Sequence, residues 1–339
     1  MKPEYHLESD VEAAFREYFL RTNEQVDSEL AKFVSSLSQL SLYPQIEYAV
    51  LSNGKRLRPL LVILAAESTG GRRSKVMPLA MAFELMHTAT LVHDDVIDQD
   101  GMRRGRLSLH KKWSVNDAIL TGDALIALAV SLASGFGETV LKNVAQSALE
   151  LCDGEYSDIV ETLETTTEDS YFRKIRGKSA SFCRAAAYCG ALVGGSTLAE
   201  AFSLSTFGEN FGMAYQLRDD VLDFTLKGDL NLKDLKSGRI TMPLIHLYTT
   251  STVQEKREIE TKLQTIMNEN SLKSNENAND ILQAIHHKGA FDYCEKKIDE
   301  YLSQAVTSIS TLKDTEYRTH LIEMAKTLKS GECPYEEQT

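Results

Sequence analysis

Apolar residues recur at intervals of three and four along most of the chain, the spacing of one face of an α-helix. From Val11 to about Leu51, Phe15, Phe19, Leu20, Val26, Leu30, Phe33, Val34, Leu37 and Leu40 keep that spacing and predict amphipathic helices broken near Tyr43-Pro44. Asn53-Gly54 marks a turn, and an apolar helix is expected over Leu60 to Glu67, ending at Gly70-Gly71. Pro78 suits the first turn of the next helix. Its apolar residues, including Leu79, Met81, Phe83, Leu85, Met86, Leu91 and Val92, occupy most of its circumference, which predicts burial in the centre of the fold. After a turn at Gly101, further helices are expected from about Val115 to Ser134, Gly137 to Val160, Tyr171 to Leu192 and Phe202 to Phe224. The polar stretch Thr162 to Ser170 reads as a loop with an N-cap, and Lys227 to Arg239 as a charged loop. A helix restarts at Thr241-Met242-Pro243, and Asn268 to Asn279 is expected to be a polar connection before two terminal amphipathic helices. No strand-like run or internal repeat stands out, so the pattern predicts one all-α domain spanning residues 1–339.

Two segments interrupt this apolar pattern in the same way. Leu91-Val92-His93-Asp94-Asp95-Val96-Ile97-Asp98 is echoed by Gln216-Leu217-Arg218-Asp219-Asp220-Val221-Leu222-Asp223. In a helix Asp94 and Asp98 share a face, as do Asp219 and Asp223, and like charges at that spacing repel. Both motifs close apolar segments, where the helix dipole disfavours further negative charge. A cation is therefore expected with them. Hard carboxylate oxygens suit Mg²⁺, which is held by one or two protein carboxylates together with water and phosphate oxygens. A single acidic cluster usually faces water; two copies set in apolar helices make that reading much weaker.

Composition adds constraints. The 339 residues carry a formal charge of −12, with 42% apolar residues and only 6 prolines, which fits a mostly helical globule and argues against a general nucleic-acid binder. Cys152, Cys183, Cys189, Cys294 and Cys333 form no CxxC pair and show no metal-ligand spacing with histidine, consistent with a reducing compartment. The start of the chain shows neither a signal nor a transit pattern, and no apolar run reaches the roughly 18 residues of a membrane span. These features predict a cytoplasmic, non-spanning protein. Positive charge is concentrated locally, at Lys55-Arg56-Leu57-Arg58-Pro59 and Arg103-Arg104-Gly105-Arg106. Lys55, Arg58 and Arg104 have the chemistry to grip a diphosphate, with arginine forks matching phosphate oxygens. Taken alone, the first cluster would more often be a surface patch; beside an aspartate pair the balance reverses. His87 lies two turns before Asp94 on the same face, where it can donate to an anion, although a lone histidine on an apolar helix is commonly a satisfied core residue.

Together these residues resemble the trans-isoprenyl diphosphate synthases, or polyprenyl synthetases. The resemblance runs from about Gly54 to Pro243 and rests on Gly54-Lys55-Arg56-Leu57-Arg58-Pro59, Asp94 to Asp98 followed by Arg103-Arg104-Gly105, Gly177-Lys178-Ser179-Ala180, and the second motif preceded by Gln216. It implies helices around a deep central cavity, a homodimer, and condensation of isopentenyl diphosphate with an allylic diphosphate (dimethylallyl, geranyl, farnesyl or geranylgeranyl). By position it implies Asp94, Asp98 and Asp219 as principal Mg²⁺ ligands of a cluster of three ions, with Asp95, Asp220 and Asp223 in support. Lys55, Arg58, His87 and Arg104 take the isopentenyl diphosphate role; Arg103, Lys178, Ser179, Gln216 and Lys233 take the allylic one. Asp94, Asp98, Asp219, Arg103 and Lys178 stand as the catalytic set.

The chain departs from the family pattern after the second motif, where the usual Gly-Lys-Pro is absent and Lys227 competes with Lys233. The resemblance also makes Ala89 and Thr90 part of the floor beneath the growing tail, where aromatic residues shorten the product. Both are small here, so a product of C20 or longer is expected. Met86 and Phe83, further down, could close the space again. Helix geometry alone sets Thr90 near the carboxylate face and Ala89 away from it. Two other readings remain open: a class I terpene cyclase, which needs no second diphosphate site, and a non-catalytic partner subunit, which commonly lacks an intact aspartate motif.

Overall fold

The expected helices form in nearly every segment where the three-and-four spacing is sustained. The structure, a computed structural model, describes residues 10–225, 235, 237–268 and 272–330. Two compact units emerge: residues 1–148, 183–208 and 306–339 form one, and residues 149–182 and 209–305 the other.

In the first unit, α1 (Asp10–Ser35), α2 (Tyr43–Val50), α3 (Leu57–Ser68) and α4 (Arg73–Ile97) follow in order. Helices α3 and α4 lack a polar face, and both are buried: Leu60 to Ala66 are fully enclosed, as are Leu79, Ala80, Phe83 and Ala89. The helix α4 begins at Arg73, five residues earlier than expected, so Pro78 lies inside it. Apolar residues on both sides of Pro78, Val76 and Met77 before it and Leu79 and Ala80 after it, are buried, so packing outweighs the one backbone donor lost at proline. The helix α6 (Val115–Ser134) packs against α4 and is followed by α7 (Glu138–Val160). Of the described helices, α6 is long and apolar enough to cross a membrane, with a mean hydropathy of 1.5, and 33% of that window is buried within the protein.

The first unit also corrects the expectation of no strands. Met102–Arg103 and Arg106–Leu107 form β1 and β2, an antiparallel pair in which Met102 faces Leu107 and Arg103 faces Arg106. Arg104 and Gly105 turn the chain at φ of 52° and 72°, the left-handed pair that a two-residue hairpin needs. Strands of two residues are too short to show alternation, which is why the pattern did not reveal them. A four-residue helix, α5 (Leu109–Lys112), leads from the hairpin towards α6. The helix α9 (Ser181–Gly194) approaches α3 at Gly190, where a Cβ would lie 2.3 Å from the Val62 carbonyl oxygen. Only glycine permits that contact.

The second unit contains α8 (Glu168–Ile175), a π-helical turn (Arg176–Ala180), most of the motif-bearing end of α10 (Leu198–Thr225), α11 (Met242–Thr249), α12 (Val253–Asn268), α13 (Leu272–His287) and most of α14 (Ala290–Ser308). Thr167 caps α8 in a reciprocal capping box with Ser170, as the polar loop before it suggested. The supposed connection from 268 to 279 is largely helix: Ser274, Ala278, Ile281 and Ile285 are all buried, and their spacing outweighs the local polarity of the segment. Phe224, Leu244, Leu263, Ile281 and Ile285 belong to this unit's apolar core. The last helix, α15 (Glu316–Ser330), returns to the first unit and packs against α1 and α3.

Candidate active site

In the first unit the local positive charge gathers around one histidine. Arg56 adopts a left-handed backbone, φ 46° and ψ 33°, just before α3, so that Lys55 and Arg58 flank a sharp reversal. The hairpin carries Arg103 and Arg104 towards the same region. The Arg104 guanidinium packs over Gly54, where a Cβ would lie 2.7 Å from Nη1. Burial pushes the His87 imidazole well below its ordinary pKa, although the ring keeps some solvent access, and Arg58, Arg104, Arg56 and Arg103 push it in the same direction. His87 is therefore neutral at pH 7, able to donate from one ring nitrogen. Burial together with Arg56, Arg103 and Arg58 lowers the pKa of the Arg104 guanidinium too, against the opposing pull of Glu84. The buried Arg58 Nε has no hydrogen-bond partner. A neutral donor, a buried unsatisfied N–H and several guanidinium groups form an environment that an anion would relieve.

The first aspartate motif closes α4. Asp98 caps the helix, its N–H bonding the Asp94 carbonyl at 2.8 Å. Asp94 and Asp98 are partly exposed, whereas Asp95 is buried and accepts from Arg103 Nε at 2.7 Å. Ser52, Thr88, Asp95, Arg103 and Arg104 all line one concavity. Of the residues expected beneath the motif, Ala89, Met86 and Phe83 are buried, while Thr90 is partly exposed and its hydroxyl donates to the His87 carbonyl at 2.8 Å.

The second unit holds Lys178, Ser179, Gln216 and the second motif. Close backbone contact fixes the π-helical turn against α7: a Cβ on Gly154 would lie 2.5 Å from Lys178 N, and one on Gly177 would lie 2.7 Å from the Glu150 carbonyl oxygen. The mid-helix Gly177 thus marks both a departure from α geometry and a crossing point. Lys178 Nζ lies 2.9 Å from Glu155 Oε2 and 2.7 Å from Asp158 Oδ2. Burial opposes the Lys178 charge, but Asp158 and Glu155 raise its pKa overall. Lys174, itself buried, reaches the other oxygen of Asp158 at 2.8 Å. Burial alone would raise the Asp158 pKa; Lys178 and Lys174 instead bring it down to about 2.

A second chain of hydrogen bonds runs from the π-helical turn to the second motif. Ser179 Oγ donates to Gln216 Oε1 at 2.5 Å, Gln216 Nε2 donates to Asp220 Oδ1 at 2.8 Å, and the buried Tyr171 hydroxyl donates to Asp220 Oδ2 at 2.5 Å. Asp220 is buried, Asp219 exposed and Asp223 intermediate. Sequence reasoning did not single out Tyr171, Lys174, Glu155 or Asp158. Their signal lay in spacing: Glu155 and Asp158 are three apart, and Lys174 and Lys178 four apart, on helical segments. Lys233 and its competitor Lys227 lie outside the described residues. Among the described residues no group of three or more His, Cys, Asp or Glu side chains forms a ready-made metal cage.

Residues 39–285 match the polyprenyl synthetase family. The chain belongs to that family. It is 32% identical over 318 residues to a geranylgeranyl diphosphate synthase of Methanosarcina mazei, covering 91% of this chain and 95% of that one. It is 30% identical to an octaprenyl diphosphate synthase of Escherichia coli, with 85% and 90% of the two chains covered. A polyprenyl synthase from Caulobacter crescentus, solved with calcium and isoprenyl diphosphate, superposes with a TM-score of 0.83 at 26% identity, covering 96% of this chain and 99% of the other. The all-α class expected from the sequence is the class found in this polyprenyl synthetase, an isoprenoid synthase fold.

Proposed function

We propose that this polyprenyl synthetase is a Mg²⁺-dependent prenyltransferase that joins isopentenyl diphosphate head-to-tail to an allylic diphosphate, giving a trans-polyprenyl diphosphate of C20 or longer. The observation that carries the reading is His87, held neutral among Arg58, Arg104, Arg56 and Arg103. That group is an anion site additional to the aspartate motifs, and a chain-elongating enzyme binds two diphosphates. A terpene cyclase has no use for the second, and a non-catalytic subunit has no need of two intact motifs.

In this reading Lys55, Arg58, His87 and Arg104 hold isopentenyl diphosphate, while Arg103, Lys178, Ser179 and Gln216 hold the allylic partner, with Lys233 completing that set. Asp94, Asp98 and Asp219 are the principal carboxylates for a cluster of three Mg²⁺ ions; Asp95, Asp220 and Asp223 support them. The donor set fits the metal: hard carboxylate oxygens paired on helix ends suit an ion that fills its octahedron with phosphate oxygens and water. When bound, Mg²⁺ neutralises charge that develops on the departing diphosphate. Arg103 and Lys178 add fixed positive charge to the same leaving group. The double bond of isopentenyl diphosphate attacks the allylic carbon, a proton is lost, and no enzymic nucleophile is required. Calcium and isoprenyl diphosphate in the C. crescentus relative agree with a divalent ion and a diphosphate as ligands.

The reading includes one catalytic domain over residues 1–339 and a homodimer. The dimer is supported by α7, where Leu149, Cys152, Tyr156 and Ile159 form an exposed stripe at helical spacing; Leu149 is 64% and Tyr156 65% exposed. Large apolar side chains aligned on one outer face are the pattern of a covered surface. The deciding experiment incubates the pure protein with Mg²⁺, labelled isopentenyl diphosphate and each allylic primer from C5 to C20, then sizes the dephosphorylated products. Elongation is expected. Absence of product with every primer rejects the proposal, and a C10 or C15 end product rejects its length assignment.

A further inference from the structure

Of the basic residues in Lys55-Arg56-Leu57-Arg58, the middle arginine is buried. Its side chain is 2% exposed and its guanidinium makes four hydrogen bonds inside the first unit. Nε donates to Asp27 Oδ1 at 2.7 Å, Nη1 to Glu84 Oε1 at 2.5 Å, and Nη2 to the carbonyls of Val50 at 3.1 Å and Ser52 at 2.9 Å. The Glu84 side chain is equally buried, at 2% exposed. Arg56 thereby ties α1, the end of α2 and α4 to one point.

Its backbone makes that point a reversal. A non-glycine residue in the left-handed region is strained and persists only where its surroundings over-determine it. Here the surroundings are two carboxylates and two carbonyls. A buried ion pair contributes little net stability compared with apolar residues of similar volume, so stability alone is a poor reason to hold arginine here. Position is a better one. Glu84 precedes His87 by three residues on α4, hence lies on the same face. The pair therefore locks the turn bearing Lys55 and Arg58 to the helix bearing His87.

We propose that Arg56, through Glu84, is a positioning residue that sets the spacing of Lys55 and Arg58 against His87, and so governs affinity for the non-allylic diphosphate. The inference rests on the proposed function. It separates two roles within one basic cluster: the flanking cations meet the ligand and the central one sets where they stand.

The test is steady-state kinetics in both substrates. In the double variant Arg56→Met/Glu84→Leu the buried pair is replaced by apolar groups, which removes the tie without leaving one buried charge unpaired. Glu84→Gln, a smaller change, keeps the shape and part of the hydrogen bonding. KM for isopentenyl diphosphate is expected to rise on the order of 10- to 100-fold in the double variant, and less in Glu84→Gln, with KM for the allylic diphosphate unchanged. Equal rises in both KM values, or an isopentenyl diphosphate KM at the wild-type level in folded protein, would overturn the inference. If the double variant fails to fold, Glu84→Gln decides alone by the same criteria. Wild-type protein that incorporates no isopentenyl diphosphate would instead reject the function on which the inference rests.

Discussion

Arg103 and Asp95 meet at a single carboxylate oxygen: Asp95 Oδ1 lies 2.7 Å from Nε and 2.6 Å from Nη2. Asp95 is buried, whereas Asp94 and Asp98 remain partly exposed. The second motif repeats the division, since Asp220 is buried and bonded by Tyr171 and Gln216 while Asp219 is exposed. The middle aspartate of each motif thus faces inward and fixes neighbours, and the outer ones keep exposed surface.

This division predicts unequal mutants. Asp94→Ala and Asp219→Ala should each lower turnover by at least about 10²- to 10³-fold, with unchanged circular dichroism. Asp95→Asn should retain measurable turnover and chiefly raise KM for the allylic diphosphate, because it loosens Arg103. Product assays across allylic concentrations check both.

Tyr171→Phe tests the inward carboxylate of the second motif. Removing the hydroxyl takes one hydrogen bond from the buried Asp220 carboxylate, which should cost about 1–3 kcal/mol of stability. It should also lower turnover, because Asp220 orients the Gln216 amide that receives Ser179. Urea denaturation and single-turnover rates read the two effects separately.

Acid stability should depend on Asp158. Its native pKa, about 2, lies below the 3.8 of the unfolded chain, so its contribution is fully present above pH 4 and is lost as pH falls through 2. The shift corresponds to about 2 kcal/mol, taken to order of magnitude. Wild-type stability should therefore fall across that window, and Asp158→Asn should be less stable at neutral pH but flatter below 4. Denaturation midpoints measured from pH 6 to pH 2 check the sign.

The two positions expected to form the floor beneath the growing tail should behave differently. Ala89 is fully buried, so Ala89→Phe overpacks its surroundings at a cost of about 1–3 kcal/mol. Thr90 retains exposure, and Thr90→Phe should shorten the product with little loss of stability. Thermal melts and chromatography of dephosphorylated products distinguish the outcomes.

Leu149→Glu should weaken self-association by placing charge on the exposed apolar stripe of α7, while leaving the fold intact. Light scattering coupled to size exclusion reads the change as a fall from dimer to monomer mass.

Much of this was legible in the sequence because long helices advertise their buried faces. The all-round apolar character of α3 and α4 announced their burial, and the Gly177 irregularity was visible as a glycine in a helical pattern. Other features left weaker traces. The hairpin of Met102 to Leu107 is shorter than any alternation can register, and α13 is polar along most of its exposed surface. The inward turn of Arg56, Asp95 and Asp220 was hidden for a different reason: residue type reports charge, whereas direction depends on partners such as Glu84, Arg103 and Tyr171 that are distant in the chain. Glu155 and Asp158 were overlooked because acidic residues at helical spacing ordinarily face water.

The π-helical turn at Arg176–Ala180 makes this region sensitive to residue number as well as residue type. A π turn holds one more residue than the α turn it replaces. Deleting one residue there would let the turn revert to α geometry with its flanks still in phase, while the side chains carried by the turn itself change direction. Lys178 and Ser179 would then leave Asp158 and Gln216 although neither had been replaced. An insertion or deletion in this short segment should thus be more damaging than most substitutions, and the length of the turn is itself part of what places its lysine and serine.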